Sequence, residues 1–127
     1  MRRLVFAATL CLVLAGALPA RAELPVDFAF TAADKCSTRS PEIRIGRPPA
    51  GTARLAVRLK DFDAPLFNHG GGTVPYDGGN VIPAGALKDN YFGPCPPEGS
   101  HTYEFSVRAL DAAGKELDLG RKARRFP

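Results

Sequence analysis

Apolar residues in this chain recur at every second position, and no window shows a convincing helical period. Tyr103, Phe105, Val107 and Ala109 alternate with Glu104, Ser106 and Arg108. Leu55, Val57 and Leu59 alternate with Arg54, Arg58 and Lys60. Successive side chains of an extended backbone point to opposite faces, so each segment reads as a strand with one buried side. Val26, Phe28 and Phe30, and then Ile43 and Ile45, repeat the pattern. Turn signals separate the runs: residues 47–52 hold two prolines and a glycine, and Asp111-Ala112-Ala113-Gly114 reverses the chain. Residues 73–76 and 80–82 are expected to form short strands around a tight turn at Asp77-Gly78. Pro75 would confine the first of these to a sheet edge. Leu117 and Leu119 suggest a short return strand. Short strands with regular turns imply an all-β fold, a small antiparallel β-sandwich.

The first 22 residues read as a secretory signal peptide. Arg2 and Arg3 give a positive start, and residues 4–18 form an apolar run too short for a comfortable membrane span. Ala20-Arg21-Ala22 places small residues where a signal peptidase cuts, so cleavage is expected before Glu23, leaving residues 23–127 as one domain. Cys11 lies within the apolar run, without the neighbourhood of a lipid attachment site. Three of the 17 basic residues (Arg2, Arg3 and Arg21) go with the leader, leaving 14 against 13 acidic ones. The basic character of the whole chain is therefore no argument for nucleic acid. The expected location is the periplasm or the medium. A domain of this size buries roughly two-thirds of its unfolded surface.

Cys36 and Cys95 survive maturation, and an even pair in an exported protein suggests one disulfide, worth about 4 kcal/mol. The alternatives are two free thiols, or a reactive Cys95 beside His101. The bridge would tie down an unusual loop, Gly93-Pro94-Cys95-Pro96-Pro97, which runs into a strand opening with His101 and Tyr103. Three prolines fix φ and remove three donors, which suits a rigid pocket wall. Upstream, Asp61-Phe62-Asp63-Ala64-Pro65 ends a strand with two carboxylates, two residues apart and so on one side of an extended backbone. Such a pair can accept from an ammonium group or orient an imidazole; it can equally be a solvated turn. His69 precedes Gly70-Gly71-Gly72, a run that reads as the loosest point of the domain. Its amides could form an anion nest, or His69 could be an exposed loop histidine. His101 and Tyr103 share a strand face, where imidazole and phenol could hydrogen-bond a phosphate oxygen, or Tyr103 could be core and His101 a strand end. No spacing matches a recognised metal site or cofactor motif, and no nucleophile has a credible base.

Taken together these motifs resemble the phosphatidylethanolamine-binding protein family, which includes the Raf kinase inhibitor-like proteins. Asp61, Asp63, Ala64 and Pro65 are similar to its Asp-Pro-Asp-x-Pro element, with Phe62 in place of the usual proline. Gly93, Pro94, Pro96, Pro97, His101 and Tyr103 are similar to its Gly-Pro-x-Pro-Pro…His-x-Tyr element. The resemblance runs from about Ser40 to Asp111, and Pro49-Ala50-Gly51-Thr52 resembles the turn before the first motif strand. It departs from the pattern where His69-Gly70-Gly71-Gly72 replaces the usual His-Trp, and the chain has no tryptophan. The resemblance implies a non-enzymatic binding protein. Its pocket, at one end of the sandwich, would take a phospholipid head group or a small anion. It would be formed by Asp61, Asp63, Pro65, His69, Gly93, Pro94, His101 and Tyr103. The alternative of the same superfamily is an interaction module that inhibits a protease or other enzyme through its surface, with a protein partner. Hydrolysis through His and Asp is a third reading. Arg121, Lys122, Arg124 and Arg125 read as a solvated final strand, with contact to anionic lipid as the alternative.

Overall fold

The computed structural model describes residues 16–17 and 22–127. The expected leader, with Cys11, lies outside the described residues apart from Gly16, Ala17 and Ala22. No helix among the described residues is long and apolar enough to cross a membrane. Seven strands are described: β1 (Val26–Phe28), β2 (Ile43–Ile45), β3 (Arg54–Asp61), β4 (Gly71–Pro75), β5 (Val81–Ile82), β6 (His101–Leu110) and β7 (Glu116–Phe126). A short 3-10 turn spans Ala32–Asp34. One sheet has the order β1-β2-β5 and the other β4-β3-β6-β7, with every pairing antiparallel. The fold is the all-β sandwich that the alternation implies.

The alternation in β6 maps directly onto the core, because Tyr103, Phe105, Val107 and Ala109 are completely buried. Leu55, Val57 and Leu59 of β3 lie beside them, and Phe28, Ile43, Ile45 and Ile82 face them from the other sheet. Burying a side chain such as Phe105 contributes about 1.5–3 kcal/mol. The two sheets meet through aromatic edges, with Phe28 perpendicular to Phe105 at 4.8 Å between centroids. Arg124 of β7 reaches across to β1, donating to the Phe28 carbonyl and pairing with Asp27 at 2.6 Å.

Three sequence expectations need correction. β4 and β5 do not form a hairpin. Asp77 does turn the chain, accepting from the Gly79 amide at 2.8 Å, but the turn carries it from one sheet to the other. The Tyr76 amide is bound to Ala53 beside β3, whereas the Asn80 carbonyl is bound to Ile45 of β2. The return strand is long rather than short: β7 pairs with β6 from Leu110 to His101, and its Arg121, Lys122, Arg124 and Arg125 are solvated. Finally, His69, Gly70, Gly71 and Gly72 are buried rather than loose. A Cβ on Gly71 would sit 1.9 Å from the Val57 carbonyl oxygen, and one on Gly72 2.9 Å from the Leu87 Cα. The glycines permit close backbone approach, not flexibility. No anion nest forms there, because the Gly70 amide donates to Asn68 and the Gly71 amide to the Asp89 carbonyl.

Candidate functional site

Antiparallel register brings three motifs to one end of the sandwich. β3 ends at Asp61 opposite Tyr103 of β6, so the start of β6, His101, lies beside that carboxylate. β4 begins at Gly71, opposite Arg58, so the residues just before it pass the same end of β3. His69 is one of these, and Phe92 clamps it twice. The Phe92 amide donates to the His69 carbonyl at 2.9 Å, and His69 Nδ1 lies 2.7 Å from the Phe92 carbonyl oxygen. A carbonyl only accepts, so Nδ1 carries a proton and Nε2 is the ring nitrogen left for other partners.

Asp61 is buried, and its charge is fully engaged. Oδ1 accepts from the amides of Asp63 (2.8 Å) and Ala64 (3.2 Å). Oδ2 lies 2.7 Å from His101 Nδ1 and 4.0 Å from His69 Nε2. Burial pushes this carboxyl up, but the His101 hydrogen bond and the Asp63 amide outweigh it and hold the group below its ordinary value. An ionised carboxylate only accepts, so His101 donates from Nδ1 and keeps Nε2 for a ligand. Asp61 is thus a positioning residue: it fixes the His101 ring and ties down the turn that follows. Asp63 braces the same turn, with Oδ2 accepting from the Thr102 amide at 2.7 Å. Asp61, Asp63 and His101 place ligating atoms within 4.8 Å of one another, yet the cluster is closed by these internal hydrogen bonds.

Tyr103 lies beneath both imidazoles. Its ring is stacked near His101 (6.2 Å) and perpendicular to His69 (5.5 Å), and its hydroxyl accepts from the Cys95 amide at 3.2 Å. Burial and the nearby Asp61 charge push the phenol up to about 12, so it remains neutral at physiological pH. The far wall is the proline loop. Cys95 is bonded to Cys36, the Cys36 amide donates to the Pro94 carbonyl at 2.8 Å, and the Gly93 amide donates to the Ser37 carbonyl at 2.7 Å. A Cβ on Gly93 would lie 2.6 Å from the Asp34 carbonyl oxygen, which accounts for the glycine.

Asp61, His69 and His101 therefore line one cavity of about 290 Å³, together with Ala64, Phe67, Phe92, Cys95 and Pro97. Of the other residues in the expected set, Tyr103 lies under the floor and Asp63 at the edge. Pro65 is exposed outside the lining, and Gly93 and Pro94 are buried behind the wall, holding the disulfide segment. The alternation rule alone would not aim Asp63 with Asp61, because β3 stops at Asp61 and the chain turns there. Phe67 and Phe92 were not singled out by the sequence, since neither belongs to a periodic run or a motif. A larger depression of about 440 Å³ beside β1 includes Asp27, Glu42, Arg44 and Arg124. Those charges are already matched, Arg124 with Asp27 at 2.6 Å and Arg44 with Glu42 at 3.2 Å.

Fold and site define a class: a β-sandwich with two imidazoles and one carboxylate gathered in a pocket at its end. The phosphatidylethanolamine-binding protein family model matches residues 71–125, a span that contains His69's successor strand, the proline loop and the His101 strand. Solved structures agree with the architecture. The chain is similar to YbcL of E. coli, described as a new member of the mammalian PEBP family, with a TM-score of 0.64 at 18% identity, covering 83% of this chain and 98% of that one. It is also similar to the PEBP homologue CT736 of Chlamydia trachomatis, with a TM-score of 0.54 at 17% identity, covering 70% of this chain and 81% of that one. The chain is thus similar to the phosphatidylethanolamine-binding protein family over residues 71–125, and shares the fold of the two solved structures. Among curated proteins it is similar to one from Mycobacterium tuberculosis described as lipoprotein LppC, 36% identical over 81 residues. That match covers 51% of this chain and 40% of the relative, so the chain spans well under half the length of the curated protein it matches.

Proposed function

We propose that this protein works outside the cytoplasm as a non-enzymatic binder, receiving a phospholipid head group or a similar small anion in the Asp61–His69–His101 cavity. The observation that carries this reading is the convergence of two imidazoles on one buried carboxylate, with a ring nitrogen of each left for a ligand. His101 Nε2 and His69 Nε2 supply the donors when protonated. Asp61 holds His101 in place and balances its positive charge. His69 Nε2 and Asp61 Oδ2 face each other at 4.0 Å as two acceptors, an arrangement relieved by a proton on Nε2 or by a donor from the ligand. The ammonium of a phosphoethanolamine is such a donor, and its phosphate is the matching anion. That the pocket cysteine is in a disulfide and the phenol is buried and neutral supports the non-enzymatic reading. The disulfide, the leader-like start and the lipoprotein description of the relative support an extracytoplasmic location.

Titration calorimetry with phosphoethanolamine and inorganic phosphate tests the reading, with far-UV circular dichroism as the control for folding. His101→Ala removes a charge-assisted hydrogen bond, so affinity should fall roughly ten- to a hundredfold. Absence of binding by the wild type, or an unchanged affinity in a folded His101→Ala variant, would overturn the proposal.

A further inference from the structure

The loop that lends Ala64 and Phe67 to the cavity carries large apolar side chains that the fold leaves uncovered. Leu66 is 99% exposed, Phe67 53% and Phe62 45%, and all three belong to the segment between β3 and β4. An isolated exposed leucine is ordinary, but three such residues within six positions on one constrained loop form a patch. The loop is held in shape. Asp61 caps the amides of Asp63 and Ala64, the Phe67 amide donates to the Ala64 carbonyl at 3.0 Å, and Asn68 accepts from the Gly70 amide.

Polarity is graded with depth. Asp61, His69 and His101 form the polar end of the cavity, whereas Ala64, Phe67, Phe92 and Pro97 supply apolar walls, and Phe67 belongs to both wall and rim. A fully hydrophilic solute would leave the walls and rim against water. A molecule with a polar head and an apolar remainder matches both. Lys60 adds charge complementarity, with its ammonium 5.7 Å from the Phe62 ring. An aromatic ring beside a snorkelling lysine suits the boundary between acyl chains and phosphate groups.

We propose that the loop bearing Phe62, Leu66 and Phe67 is an interfacial anchor that seats the protein on a phospholipid bilayer. The head group then enters the cavity from that surface rather than as a free solute. The occupant assigned to the cavity rests on the head-group reading above; the seating on the bilayer rests on the rim.

The test is co-sedimentation with vesicles of phosphatidylcholine, phosphatidylethanolamine and phosphatidylglycerol, using protein exported from the full-length gene. Leu66→Asp and Phe62→Asp should each weaken vesicle binding on the order of tenfold or more. Both should keep the wild-type affinity for soluble phosphoethanolamine, and Leu66→Phe should retain vesicle binding. Leu66 is so exposed that these changes leave packing intact, which circular dichroism checks. The anchor is overturned if the wild type fails to sediment, or if Leu66→Asp sediments like the wild type. It is also overturned if light scattering shows that Leu66→Asp splits a dimer, because the patch is then a contact between copies. Vesicle binding that depends on Leu66 in a protein blind to phosphoethanolamine would uphold the anchor and sink the head-group reading alone.

Discussion

Replacing Cys36 and Cys95 by serine removes the one covalent constraint seen between distant segments of the described chain. The two residues are 59 apart in sequence. Closing a loop of that length lowers the entropy of the unfolded chain enough to stabilise the fold by about 4 kcal/mol at 25 °C. The folded state should change little. The Cys36–Pro94 and Gly93–Ser37 backbone hydrogen bonds and the Tyr103 hydroxyl contact with the Cys95 amide all survive the substitution. Serine also keeps the left-handed backbone at Cys36 (φ 52°), so relief of that strain does not enter the difference. Small domains are stable by about 5–15 kcal/mol, so the double variant should fold but with a much reduced margin. The assay is guanidinium unfolding followed by circular dichroism and tyrosine fluorescence, since the chain has no tryptophan. With a denaturant slope of roughly 2–6 kcal/mol per molar, the midpoint should fall by about 0.7–2 M. A loss below about 1 kcal/mol would refute the loop-entropy argument. A folded variant that loses phosphoethanolamine affinity would refute the claim that backbone contacts alone hold the cavity wall.

Two further outcomes are expected. Gly71→Ala drives a Cβ to within 1.9 Å of the Val57 carbonyl and must part β3 from β4, at a cost of about 3 kcal/mol, the upper end for overpacking; an unchanged melting temperature would contradict this. Asp61 has a folded pKa below its ordinary 3.8, because the His101 hydrogen bond and the Asp63 amide outweigh burial. Its stabilisation is therefore complete above about pH 4 and is lost as pH falls through the folded value. Asp61→Asn should flatten that part of the acid-unfolding profile, and a profile of unchanged slope would show that Asp61 is not held this way.

The fold was legible where it depends on local alternation. β3 and β6 could be read residue by residue, because burial of one face forces a period of two. The elements misread were those in which glycine or proline does non-local work. Gly70-Gly71-Gly72 looks like slack until β3 and the Leu87 backbone are seen pressing on it, and the link from β4 to β5 looks like a hairpin until its two strands pair in different sheets. The candidate site was legible as residue types in motifs. Tyr103 was grouped with the pocket, but only packing shows it as the floor, and Gly93 and Pro94 as braces behind the wall.

Sequence by itself determined the class of fold, the pair of cysteines available for a bridge, and the carboxylate and imidazoles offered for the site. The first follows from a two-residue repeat, the second from composition, and the third from motifs read through a family resemblance, all of them properties of neighbouring residues. Tertiary structure alone decided that Asp61 Oδ2 meets His101 at 2.7 Å and His69 at 4.0 Å, and that Leu66 of the following loop stands uncovered. Those relations depend on antiparallel register between segments up to forty positions apart. A register is fixed by the whole core at once, and no local stretch of sequence contains it.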